Sequence, residues 1–216
     1  ALTLPAVLRA AAQPGAAPLT LRARPGSAKL RAEGPATPVA VLEAGGEAPV
    51  RLPRGGGVDA TFINDLPVAA RLRWRGLDGA PDLAALANGP VAPGGRAAFT
   101  LPLAFAGTLF CTVEPVAELP PATLAVVVEE LAAGAYDREA TLVIEEWRLG
   151  ADGRAVLPGQ APGDATAVFT VNRMPAADLT ARAHERLRIR FINGSQRTVF
   201  AVRIPDQTVY VWAIAS

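Results

Sequence analysis

Three arginines recur at every second position in Arg71-Leu72-Arg73-Trp74-Arg75, and a later run, Phe110-Cys111-Thr112-Val113-Glu114, carries a thiol, a hydroxyl and a carboxylate. On a strand, residues i and i+2 share a face, so the first run sets three guanidiniums on one side and Leu72 with Trp74 on the other. A guanidinium stays protonated and offers N–H donors only. Such a face can hold carboxylates or other anions; it cannot ligate a cation. Elsewhere the supply of reactive side chains is thin. His184 is the only histidine, Cys111 the only cysteine, and there is one methionine. That inventory cannot build an ordinary copper or zinc site from imidazole and sulfur ligands. A single cysteine makes no internal disulfide and leaves the redox compartment open. No Gly-rich phosphate loop, Gly-x-Ser-x-Gly elbow or His-Glu-x-x-His helix occurs, and Gly55 to Gly57 read as a turn between strands.

The elements that must position these residues read as strands. The chain is 50% hydrophobic and 19% charged, which suits a packed globular protein rather than a disordered one. Gly and Pro number 20 each and punctuate short apolar runs, the pattern of an all-β sandwich or barrel. A net charge of +1 favours neither nucleic acid nor an anionic membrane surface, and no apolar run approaches the ~18 residues of a membrane span. Residues 1–18, rich in Ala and Pro, form a leader. Strands are expected at 19–24 (ended by a turn at Pro25-Gly26), 38–42, 50–53, 58–63, 71–75, 97–103 and 108–113, enough for one Greek-key sandwich over 19–114. A Pro-rich linker and a closing strand at 124–129 occupy 115–136. A second unit, 137–216, has expected strands at 140–147, 165–172, 186–192, 199–204 and 208–214, too few to complete a second sandwich.

The order of motifs resembles the multicopper oxidase family, which is built of cupredoxin-like β-sandwiches. Asn64-Asp65-Leu66, then Arg73-Trp74-Arg75-Gly76, Asp78-Gly79, Pro93-Gly94-Gly95 and Gly107-Thr108-Leu109-Phe110-Cys111-Thr112-Val113-Glu114 follow the family's Asn-x-Leu, His-Trp-His-Gly, Asp-Gly, Pro-Gly-Gly and Gly-Thr-x-Trp-Tyr-His-x-His. In the second unit, Asp137-Arg138-Glu139 with Leu142 to Trp147, Val171-Asn172-Arg173, and Arg186 to Ser195 are similar to the family's second domain. The resemblance implies an all-β, cupredoxin-like Greek-key β-sandwich, one domain complete and a second partial. It also implies that Arg73, Arg75, Thr112 and Glu114 stand where the family has the four histidines that, with others from its last domain, hold the oxygen-reducing coppers.

These four are degenerate copper-ligand positions. Arginine cannot bind a cation, threonine is a poor copper ligand, and Glu114 alone is one hard oxygen donor. No catalytic residue and no metal ligand is assigned, and no cofactor is expected in this chain; copper enters only if a domain beyond it carries the metal. Glu114 is expected to pair with Arg73 or Arg75. Trp74 and Phe110 read as core, Cys111 as a small buried hydrophobe, His184 and Asp78 as turn residues, and Trp147 and Trp212 as core or inter-domain packing.

Three readings follow. The chain is a non-catalytic, copper-free, exported scaffold or binding protein, for which copper-free relatives such as a periplasmic cell-division protein give precedent. Or it is part of an oxidoreductase whose type 1 copper lies in a domain not covered here. Or it is a domain that lost its site and serves assembly alone. Whether it is an enzyme stays open on the sequence. The family and the mature-looking start at Ala1 imply a periplasmic or secreted protein. Its partner would be another protein or the remaining cupredoxin domain.

Overall fold

A computed structural model describes residues 17–46, 48–76, 89–115, 119–130, 134–157, 159–195, 198–211 and 214. The described elements are eleven strands: β1 Leu19–Ala28, β2 Thr37–Glu43, β3 Val50–Leu52, β4 Gly57–Asn64, β5 Ala70–Arg75, β6 Arg96–Pro102, β7 Gly107–Pro115, β8 Ala122–Val128, β9 Arg138–Leu149, β10 Thr166–Val171 and β11 Leu187–Asn193. They form two four-stranded sheets, ordered β2-β1-β4-β6 and β3-β8-β7-β5, and a three-stranded sheet β10-β9-β11. The β1–β4, β3–β8 and β9–β11 pairs are parallel, so each sheet is mixed. The fold is all-β and cupredoxin-like.

Period-two alternation builds the first unit. In β5 the odd-numbered arginines are exposed while Ala70, Leu72 and Trp74 are buried. The inner faces of both four-stranded sheets meet in one core containing Leu21, Phe62, Leu72, Trp74, Leu101, Cys111, Val113 and Val126. Burying each such aliphatic or aromatic side chain contributes roughly 1.5–3 kcal/mol. β8 completes this unit by pairing with β7 on one side and β3 on the other.

The second unit lays one sheet against the first. On β9, Val143, Glu145, Trp147 and Leu149 are buried at alternate positions. Trp147 and Leu149 pack on Leu30 and Val39, and Val143 with Ile192 packs on Ala125 and Phe110. β2 therefore serves two cores: Ala40 and Leu42 face the sandwich, Val39 faces the second unit.

Three expectations need correction. β1 does not turn at Pro25-Gly26 but runs on to Ala28, paired with β2. Its partner β4 reaches only as far as Ala23, so the N–H that Pro25 lacks has no ladder to serve on that side. Gly26 is needed because a Cβ there would lie 2.4 Å from Val41 Cγ2. Second, the described residues of 199–204 and 208–214 form no strand; they find no ladder partner, and Val199, Tyr210, Val211 and Ile214 are exposed. An apolar run marks residues to be buried but cannot supply the strand that buries them. Third, Phe110 is not in the sandwich core. It is half-buried on the outer face of β7, where it packs between the two units.

Candidate functional site

The stretch that the motifs single out is fixed by one buried asparagine. The Asn64 side chain donates to Val68 O (2.9 Å) and Val91 O (2.8 Å), and its Oδ1 accepts from Leu66 N (3.1 Å). Its backbone N–H donates to Gly95 O, and its carbonyl accepts from Gly94 N. The Asn-Asp-Leu turn and the Pro-Gly-Gly turn are thereby tied together, and they set where β5 begins. Gly94 takes φ +70°, a left-handed conformation that glycine adopts without strain. At the other end of β5, Gly76 takes φ +83°, and a Cβ there would lie 2.5 Å from Thr108 O. The glycine after Arg75 is thus demanded by close approach of β7.

Between these stops, β5 pairs antiparallel with β7 in the register Arg71↔Glu114, Leu72↔Val113, Arg73↔Thr112, Trp74↔Cys111 and Arg75↔Phe110. All four degenerate positions therefore fall on adjacent strands, on one face. The expected ion pair forms diagonally to Arg73, whose Nε and Nη2 donate to the two Glu114 oxygens at 2.8 and 3.1 Å. Arg73 remains 52% exposed, so the pair contributes no more than about 1 kcal/mol. Arg75 instead lies over the Phe110 ring, 5.6 Å from its centroid. Thr112 is buried, with its hydroxyl 3.5 Å from that of Thr123 on β8. Chemically the face offers guanidinium donors with one carboxylate already engaged. Among the described residues no group of three or more His, Cys, Asp or Glu side chains gathers closely enough to hold a metal ion.

Cys111 is fully buried under this face, and burial pushes its thiol well above the usual range. Trp74 is core and stacks edge-on with Phe99. His184 is an exposed turn residue with φ +65°. Trp147 packs between the units, its Nε1 donating to Thr170 Oγ1 at 2.8 Å. Asp78 and Trp212 lie outside the described residues.

A second charged cluster, which the motifs did not flag, sits at the junction of the units. Glu139 on β9 has a side chain only 5% exposed and is reached by Arg51 of β3 and Arg190 of β11, both at 3.0 Å. Arg190 also donates to Thr108 Oγ1 of β7 at 2.7 Å. Arg188 pairs with Glu130, just after β8, at 2.7 Å. Burial alone would raise the Glu139 pKa, but hydrogen bonds and charge from Arg190 and Arg51 outweigh it and hold the carboxyl below its ordinary value. Further along β9, Glu145 is at least as buried, with Arg173 no closer than 3.8 Å and Oε2 lacking any hydrogen bond. Burial pushes its pKa up to about 7, only partly offset by Arg173. Arg173 in turn bridges the units by donating to Ala40 O at 2.9 Å. The sequence signal for this cluster was charge at the parity of buried residues: Glu139 and Glu145 share the face of Val143 and Trp147, and Arg188 and Arg190 that of Ile192.

Solved structures similar to this chain are multicopper oxidases. Lac15 from a marine microbial metagenome aligns at 26% identity over 83% of this chain and 48% of its own length, with a TM-score of 0.61. A multi-copper oxidase from Pseudomonas thermotolerans aligns at 24% identity over 82% and 46%, TM-score 0.63. A variant of the Aquifex aeolicus multicopper oxidase McoA aligns at 20% over 83% and 43%, TM-score 0.61. The chain thus spans about half the length of these structures. No family model matches the sequence, and no curated protein does. The resemblance to multicopper oxidases therefore lies in the cupredoxin fold and its motif order, not in overall sequence.

Proposed function

We propose that this chain is a multicopper-oxidase-like protein without a trinuclear copper site, acting as a non-catalytic, exported binding or scaffold protein. One observation carries the reading: at the four positions where the family places imidazoles, the side chains are two guanidiniums, a buried hydroxyl and a carboxylate already held bidentately by Arg73. Copper needs lone pairs directed at it, and this set directs N–H donors instead. The residues do not fit the metal, and no step of oxygen chemistry is derived through them. Export is part of the proposal through the fold family alone. No helix among the described residues is long and apolar enough to cross a membrane. The net charge of +1 supplies no attraction for nucleic acid.

The test is metal analysis of the protein purified from copper-supplemented cells, with oxygen uptake measured on a phenolic or metal-ion electron donor. The expected result is copper far below one per chain and no uptake above buffer. Copper at one per polypeptide without oxygen uptake supports the second reading, a multicopper oxidase or copper-binding oxidoreductase whose type 1 copper lies in a domain not covered by this chain. Three or more coppers with oxygen uptake overturns the proposal.

A further inference from the structure

The outer face of β5 carries more positive charge than the described residues neutralise. Arg71, Arg73 and Arg75 are all exposed, and Glu114 engages only Arg73. Arg71 has no carboxylate within salt-bridge distance among the described residues, and Arg75 is held by the Phe110 ring, not by an anion. Successive arginines on this face stand about 7 Å apart, twice the rise of a strand residue.

β5 is also the last strand of its sheet. Its pairing with β7 fixes which backbone groups point outward. Both backbone groups of Ala70 bond to Val91, so Ala70 turns them away from β7 and Ala70↔Pro115 is a pair that exchanges no hydrogen bonds, as suits a Pro115 without an N–H. Ala70 N donates to Val91 O at 3.0 Å and Val91 N to Ala70 O at 2.7 Å, one bridge on the open edge. By the same parity Leu72 and Trp74 direct their N–H and C=O outward, and no described strand pairs with them. Among the described residues the ladder begun at Ala70 is not continued along β5.

We propose that this edge docks an extended segment of a partner protein bearing carboxylates at alternate positions. Such a strand continues the ladder at Leu72 and Trp74, and its acidic side chains fall on the same outer face beside Arg71 and Arg75. A second copy of β5 is disfavoured, because it sets arginine against arginine. The proposal rests on reading this protein as a binding module and names the chemistry of what it binds.

The test uses the whole chain and a dye-labelled peptide in which Glu alternates with Thr, titrated by fluorescence anisotropy in low and moderate salt. The controls are a peptide of the same composition with its Glu residues in one block, and the alternating peptide N-methylated along one edge. The expected result is that the alternating peptide binds at least tenfold more tightly than either control. The double variant Arg71→Glu, Arg75→Glu, whose changes are confined to exposed side chains, loses that binding with its circular dichroism unchanged. Equal binding of all three peptides, or displacement by inorganic polyphosphate with the N-methyl control unaffected, means charge attraction without strand pairing and overturns the proposal. No binding by the copper-free protein overturns this inference while leaving the proposed function standing. Three or more coppers per chain with oxygen uptake in the same sample removes the proposed function instead.

Discussion

The arginine–glutamate pair on the outer face of β5 and β7 and the arginine–glutamate cluster between the two units differ in how much water reaches them. Arg73 and Glu114 meet bidentately, yet Arg73 stays half exposed, so solvent screens the pair and its side chains lose freedom in making it. Glu139 and Arg190 meet at a similar distance with side chains 5% and 9% exposed. There, an unpaired charge has no water to fall back on. Equal geometry therefore serves different ends: the outer pair shapes a charged surface, and the inner one ties β9 and β11 to β3 and β7.

The sharpest way to break that contrast is at the junction. Glu139→Gln leaves Arg190 buried without a counter-charge, and the expected cost is about 3–5 kcal/mol, read from urea unfolding at pH 7. Because the folded Glu139 pKa lies below its unfolded value, this stabilisation is present above the ordinary carboxylate range and fades as pH falls through the folded pKa. The variant and the wild type should accordingly converge in acid. A loss under 1 kcal/mol at pH 7 would put the junction on the same footing as the outer face.

Glu145, six residues along the same strand, has the opposite sign. Its folded pKa of about 7 lies above the unfolded value, so wild-type stability falls as pH rises between about 4.5 and 7. Glu145→Gln removes the ionisation. It should match wild type near pH 4 and exceed it at pH 8 by about 3 kcal/mol, the size of that shift in free energy. Denaturant titrations at the two pH values measure the difference; a variant no more stable at pH 8 than at pH 4, relative to wild type, removes the argument.

The smallest effect belongs to the motif site. Glu114→Gln should change stability by less than about 1 kcal/mol, by the same unfolding measurement, because Arg73 is half exposed and solvent screens the pair. A larger loss would show that the outer pair is structural and would narrow the contrast to nothing.

How much of this was legible in the sequence follows from what each signal depends on. Alternation is local, so β5 was readable from Arg71 to Arg75 with both faces correctly assigned. Asn64, Gly76 and Gly94 were readable as motif residues, although their reasons, a double carbonyl clamp and two left-handed glycines, need the neighbouring strands in place. The Arg73–Glu114 pair was expected as one of two choices, and only the register decided it. Local reading misled at 199–204 and 208–214, where the apolar runs find no strand to pair with among the described residues. It misled at Phe110 as well, because an aromatic on a strand can be buried by a second unit as readily as by its own sandwich.

By itself, then, the sequence determined the fold class, the motif order and the chemistry of the degenerate positions, since side-chain type sets whether a group has a lone pair or only donors. Tertiary structure alone decided which charges are buried. Glu139, Glu145, Arg173 and Arg190 look no different from Glu114 and Arg73 as letters. Their properties differ because β9 and β11 lie against the first sandwich, where the removal of water turns a nearly neutral ion pair into a strong one and an unmatched carboxylate into a costly one.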